Sequence, residues 1–169
     1  MLEIETVLGA KTPELSTLSA LKYTQMVLEE TMRLYPPAWV IARKVLRNTV
    51  LCGYPVEEKA QLILDVYSLH RHPDYWDRPD QFIPERFDEK LKKERHRYAY
   101  IPFGAGQRLC IGNNFALMEM KIALTMLLQK FQFSLVNPHQ KLEPNPMVTL
   151  KPASSLILNI RPRMGLQYN

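Results

Sequence analysis

Apolar residues recur along this chain at two spacings, and each change of spacing marks an element. Residues 1–8 carry helical spacing closed by Gly9, a residue suited to the left-handed position after a helix. Thr12-Pro13-Glu14 reads as an N-cap, a first-turn proline and a dipole-favoured acid, opening a short helix to about residue 17. From about residue 20 to residue 34, Leu21, Val27, Leu28, Met32 and Leu34 hold roughly helical spacing. Pro36-Pro37 then pushes Tyr35 out of the α region, so this helix must stop. Residues 39–46, 49–52 and 61–65 are rich in β-branched and apolar side chains around the turn Gly53-Tyr54-Pro55, which predicts a small, partly buried sheet. A brief helical stretch follows residue 67, then a long passage holding Pro73, Pro79 and Pro84. The strongest helix runs from residue 112 to about residue 130, with Phe115, Ala116, Met118, Ile122, Ala123, Met126 and Leu127 on an apolar face broad enough for burial on most sides. Residues 131–136, 147–150 and 156–160 read as strands, the last two joined by the turn Pro152-Ala153-Ser154-Ser155. The fold class this predicts is α+β, mainly α.

Composition narrows the reading. With 169 residues, 46% of them hydrophobic, the chain is long enough for one domain with a real core. Thirteen prolines against six glycines favour long irregular connections over tight hairpins, which disfavours an all-β barrel. A net charge of +5 suits an acidic partner or an anionic cofactor, and nothing in its distribution points to nucleic acid. No apolar run reaches a membrane span, and no export signal is visible, so the expected location is cytoplasmic. The two cysteines, Cys52 and Cys110, are too far apart in sequence to make a metal motif together.

They differ in setting. Cys52 reads as a small hydrophobe. Cys110 follows a glycine-rich loop, Phe103-Gly104-Ala105-Gly106-Gln107-Arg108-Leu109-Cys110-Ile111-Gly112, at the mouth of the long helix. Backbone N–H groups and the dipole at a helix N-terminus favour negative charge on such a sulfur, which suits metal ligation. Gly104, Gly106 and Gly112 let the backbone take positive φ and approach a flat ligand, and Arg108 lies within reach of an anionic group on it. The loop matches Phe-x-x-Gly-x-Arg-x-Cys-x-Gly, a match expected at about one position in ten million at average residue usage. It resembles the signature of the cytochrome P-450 superfamily of heme-thiolate monooxygenases. The resemblance implies heme b as cofactor, with Cys110 as the axial ligand of its iron and the catalytic residue, Arg108 paired with a propionate, and Phe103 packed on the thiolate side. Gly104 and Gly112 would admit the ring.

Two further segments carry the same resemblance. Glu30-Thr31-Met32-Arg33 places a carboxylate and a guanidinium on one helix face and matches the family's Glu-x-x-Arg motif. Pro84-Glu85-Arg86-Phe87 matches the segment that supplies a second arginine, so Glu30, Arg33 and Arg86 are expected to form a buried structural network beneath the cysteine loop. Arg43 aligns with a second propionate partner, and His70 is expected near a propionate. Ala38, Trp39, Val40 and Ile41, with Ala153 and Ser154, correspond to segments facing a lipophilic substrate. Lys90, Lys92, Lys93, Arg95 and Arg97 correspond to the face that receives an acidic electron-transfer partner.

The resemblance covers essentially all of residues 1–169, which correspond to the C-terminal, heme-binding portion of the family's fold; its N-terminal helices and central oxygen-activating helix have no counterpart here. The implied reaction inserts one oxygen atom from O2 into a lipophilic organic substrate. Electrons come from NAD(P)H through a reductase or ferredoxin, and the missing N-terminal portion is required, so the isolated chain is expected to be inactive. The alternatives are a truncated non-catalytic heme-binding remnant and a heme-thiolate isomerase or peroxygenase, which shares the loop.

Overall fold

A computed structural model describes residues 2–163. Among these residues are six α-helices: α1 (Leu2–Val7), α2 (Leu15–Leu18), α3 (Lys22–Leu34), α4 (Val66–Leu69), α5 (Glu89–Glu94) and α6 (Asn113–Lys130). The strands are β1 (Val40–Lys44), β2 (Thr49–Leu51), β3 (Tyr54–Val56), β4 (Gln61–Asp65), β5 (Phe131–Leu135), β6 (Pro144–Pro146), β7 (Leu150–Pro152) and β8 (Leu158–Pro162). Single 3-10 turns form at Pro84–Phe87 and Gly106–Arg108. About 36% of the described residues are helical against 20% in strands, so the chain is α+β with helix dominant.

The helical half is stitched by side chains that satisfy helix ends across the chain. Gly9 takes φ +56° and closes α1 with its N–H on the Glu5 carbonyl at 3.0 Å. Met1, expected in that helix, lies outside the described residues. The α2 N-cap is Glu14 rather than Thr12, because Thr17 closes the first turn: its hydroxyl accepts the Glu14 N–H at 3.0 Å and donates to the Glu14 carbonyl at 2.8 Å. The first turn of α3 has no local cap. Instead the Glu3 carboxylate of α1 accepts from the Tyr23 N–H (2.6 Å), the Thr24 N–H (2.8 Å) and the Thr24 hydroxyl (2.7 Å). Ile4, Leu8, Leu18 and Leu21 are buried together against Met118, Ile122 and Leu128 of α6. Gln129 of α6 donates to the carbonyls of Gly9 and Lys11 at 3.0 Å each, and Lys121 donates to that of Leu18 at 3.1 Å.

The long helix is less enclosed than its sequence predicts. Only Thr125 and Gln129 of α6 are buried, while Phe115 is 65% and Leu127 48% exposed. The reason is one-sided contact: α6 meets α1, α2, α3 and β5, and its remaining apolar face is uncovered among the described residues.

The predicted single sheet is two separate two-stranded ribbons. β1 pairs antiparallel with β4, from Val40↔Asp65 to Lys44↔Gln61, and β2 pairs with β3 around Cys52 and Gly53, both at positive φ. Both ribbons are largely exposed. Near the C-terminus, β5 pairs with β8 and β6 with β7. The predicted strand at 147–150 is mostly the turn between β6 and β7, and β7 does not pair with β8. The proline-rich passage is not structureless: Trp76, Phe87 and Ala99 form a second core with Met26 and Tyr100, and the rings of Phe87 and Tyr100 meet edge to face at 4.7 Å.

Candidate active site

The cysteine loop runs from this second core to the start of α6. Gly104 and Gly106 take φ of +77° and +69°, a region that L side chains adopt at a cost. Three backbone bonds fold the loop: the Gly104 N–H donates to Ile101 (3.0 Å), Leu109 to Gly106 (3.2 Å) and Cys110 to Phe103 (3.0 Å). Cys110 is thereby held exposed, three residues ahead of the first residue of α6. A Cβ built on Gly112 would lie 4.0 Å from its Sγ.

The thiol shares an open concavity of about 420 Å³ with Ala38, Ile41, Arg43, Phe103, Gly104 and Arg108. Met32, Pro37, Pro102, Ala116 and Met120 complete the wall. Strand alternation selects the β1 residues: Ile41 and Arg43 reach the concavity, whereas Val40 alternates to the other side. Trp39 is drawn away because its indole N–H donates to the Met147 carbonyl at 2.8 Å. Ala153 and Ser154 are exposed and absent from this wall, the Ala153 N–H being bonded to the Glu143 carbonyl. Of the residues expected to face a substrate, therefore, only Ala38 and Ile41 adjoin the cysteine. Among the described residues, neither Arg43 nor Arg108 has a carboxylate within ion-pair distance; Arg43 donates only to its neighbour Ala42.

Below the loop lies the predicted ion network. Glu30 and Arg33 are fully buried. The guanidinium grips the carboxylate with both ends, Nε on Oε2 at 2.7 Å and Nη2 on Oε1 at 2.8 Å. Its remaining protons go to the carbonyls of His70 (2.8 Å), Pro79 (2.7 Å) and Gln81 (3.1 Å). The Ile83 N–H donates to Glu30 Oε1 at 2.8 Å, and Arg86 Nε stands 3.5 Å from the same oxygen. A pair on α3 thus organises the backbone of the proline-rich passage, which has too few regular elements to organise itself.

His70 is where the structure departs most from expectation. It is fully buried and absent from the cysteine concavity, so it is not placed to meet a group held there. Its Nδ1 faces the Arg33 carbonyl at 3.3 Å, and its Nε2 accepts the Ile101 N–H at 2.9 Å. Burial above all, with the cations of Arg33 and Arg71 adding, lowers its pKa to about 4. Arg71, half-buried over the Tyr67 ring, donates to the Leu34 carbonyl at 2.6 Å and so closes the C-terminus of α3.

The basic run divides. Arg95 turns inward, its guanidinium 4.3 Å over the Trp76 ring and 4.7 Å over Phe87, with a short bond to the Arg86 carbonyl. Lys92 is committed to Glu29 at 2.6 Å. Lys90, Lys93 and Arg97 remain exposed, with Lys90 and Lys93 on a groove that also holds Asp88, Glu89 and Glu94. The surface is of mixed sign, and the five cations do not form one patch.

An exposed thiol and two guanidiniums without an ion-pair partner among the described residues thus line one largely apolar concavity. The sequence model of the cytochrome P450 family matches residues 1–159. Over 165 residues the chain is 39% identical to "Cytochrome P450 3A29" of Sus scrofa, covering 96% of this chain and 33% of that protein. It is 45% identical over 116 residues to "Probable cytochrome P450 4p3" of Drosophila melanogaster, covering 68% of this chain and 22% of that one. Against "Cytochrome P450 97B2, chloroplastic" of Glycine max it is 32% identical over 195 residues, covering 98% of this chain and 34% of that protein. The chain belongs to the cytochrome P450 family, and its matches span between about a fifth and a third of the length of these relatives. The family's cofactor is heme, and the donor set fits it: a soft thiolate donor for iron, apolar walls for a flat ring, and guanidiniums for its carboxylates. No described helix is long and apolar enough to cross a membrane.

Proposed function

We propose that residues 1–169 form the C-terminal, heme-binding portion of a monooxygenase domain. The observation that carries this is the convergence of Cys110, Arg43 and Arg108, from β1 and the cysteine loop, on one concavity. Cys110 would hold the iron of the heme through its sulfur and is the catalytic residue of this reading. Arg43 and Arg108 bind the propionates, Phe103 covers the thiolate side, and Gly104 and Gly112 keep the backbone free of side chains where the ring approaches. When bound, the heme supplies the activation of O2, with thiolate donation favouring O–O cleavage.

The chain's own contribution is to hold and orient. The loop's backbone bonds fix the sulfur, the guanidiniums would bind the carboxylates of the heme, and Ala38 and Ile41 would offer apolar surface to a lipophilic substrate. Electrons originate from NAD(P)H through a reductase or ferredoxin, whose acidic surface meets Lys90, Lys93 and Arg97. A cytoplasmic setting suits two free, exposed cysteines.

The test is to mix the purified protein with heme, reduce it, add carbon monoxide and record the Soret band, with Cys110→Ala as control. A red-shifted, thiolate-type band that disappears in the variant is expected. A histidine-type band, or a band indifferent to the substitution, overturns the assignment of Cys110.

A further inference from the structure

His70 lies on neither wall of the concavity, yet it is among the most completely buried polar side chains. Five contacts pin it. Its N–H donates to the Val66 carbonyl at 2.9 Å, its carbonyl accepts from Arg33 Nη1 at 2.8 Å, and its ring stacks on Tyr100 with centroids 5.2 Å apart and planes at 29°. The fourth carries direction. Because the Ile101 backbone can only donate, Nε2 must be the unprotonated nitrogen; the ring proton therefore sits on Nδ1, facing the Arg33 carbonyl. Of the three protonation forms of imidazole, one satisfies both neighbours.

We propose that His70 is a positioning residue for Cys110, its neutral ring linking the buried Glu30–Arg33 pair to the turn on which the cysteine loop is built. The path is continuous: Arg33 carbonyl to His70 ring, ring to Ile101 N–H, Ile101 carbonyl to Gly104 N–H, and, in the same turn, Phe103 carbonyl to Cys110 N–H. An acceptor is required beneath Ile101, since its N–H is buried and has no other route to water. The depressed pKa agrees with this arrangement, because burial above all, with the neighbouring Arg33 and Arg71 adding, disfavours a charged ring. The consequence for chemistry rests on the heme-thiolate reading above; the linkage itself does not.

Two polar variants separate the two bonds. His70→Asn keeps a donor near the Arg33 carbonyl but cannot reach Ile101, whereas His70→Gln extends an acceptor to Ile101. In the heme-loaded, reduced, carbon-monoxide-bound protein, His70→Gln is expected to keep the thiolate-type band. His70→Asn is expected to lose most of it to a thiol- or histidine-type band at similar heme content. In the heme-free proteins, hydrogen exchange at the Ile101 amide should be about tenfold faster in His70→Asn than in wild type, the factor for loss of one hydrogen bond. A folded His70→Asn protein with the wild-type band and wild-type exchange at Ile101 overturns the proposal. Should that variant not fold, His70→Gln decides: protection of Ile101 with a retained band supports it, and lost protection with an unchanged band refutes it. If the wild-type protein itself shows no thiolate-type band, the heme-thiolate reading fails, while the exchange rates still judge the linkage.

Discussion

Replacing Glu30 tests the buried ion network most directly. Glu30→Ala removes the only carboxylate paired with Arg33 among the described residues, and it does so where neither side chain touches water. Breaking a buried pair from one side typically costs about 3–5 kcal/mol, because the remaining charge cannot be rehydrated. Here two effects oppose. The guanidinium keeps three carbonyl partners, which moderates the penalty, but the Ile83 N–H loses its acceptor at 2.8 Å, which adds about 1 kcal/mol. A net loss of about 4 kcal/mol is expected, a large part of the stability of an ordinary domain. With a urea dependence of about 2 kcal/mol per molar, the unfolding midpoint should fall by about 2 M. Glu30→Gln keeps one acceptor oxygen for Ile83 or Arg33 and should cost about half as much. Arg33→Ala should cost most, since it orphans the Glu30 carboxylate and the carbonyls of His70, Pro79 and Gln81 together. Urea unfolding followed by tryptophan fluorescence reports on this directly, because Trp76 lies 5.0 Å from the Arg33 guanidinium. A midpoint shift below about 0.5 M for Glu30→Ala, or the order Gln worse than Ala, refutes the argument.

Two further outcomes are expected. The folded pKa of His70, about 4, lies below its ordinary 6.5, so the unfolded chain binds the extra proton; stability is complete above about pH 6.5 and falls as pH drops toward 4, by about 3 kcal/mol in all, and subtracting the profile of His70→Gln from that of wild type should isolate this slope. Gly104→Ala and Gly106→Ala place a Cβ at φ of +77° and +69°, with no contact closer than 3.7 Å in either case, so each should destabilise by about 1 kcal/mol from backbone strain alone; a loss of several kcal/mol on thermal unfolding at Gly106, where nothing lies within 4 Å, contradicts that account.

The chemistry was written locally, and local patterns survive folding. The cysteine loop keeps its glycines, thiol and arginine within ten residues, and Glu30 and Arg33 lie three apart on one helix, so their conjunction depends on little beyond α3 and a turn. Helix positions came through for the same reason: Gly9 and Pro36-Pro37 act on their own backbone. What the sequence could not decide was which side chain meets which across the fold. Glu3 caps α3 from 20 residues away, and Trp39 leaves the concavity for a carbonyl 108 residues on. Arg95 reads as a surface charge until two aromatic rings are brought under it, and His70 reads as a cofactor contact until Ile101, 31 residues later, supplies a buried N–H. Hydrophobic period and turn chemistry set each element from within. The partner of a polar group depends on where desolvation leaves it without water, and only the tertiary structure determines that place.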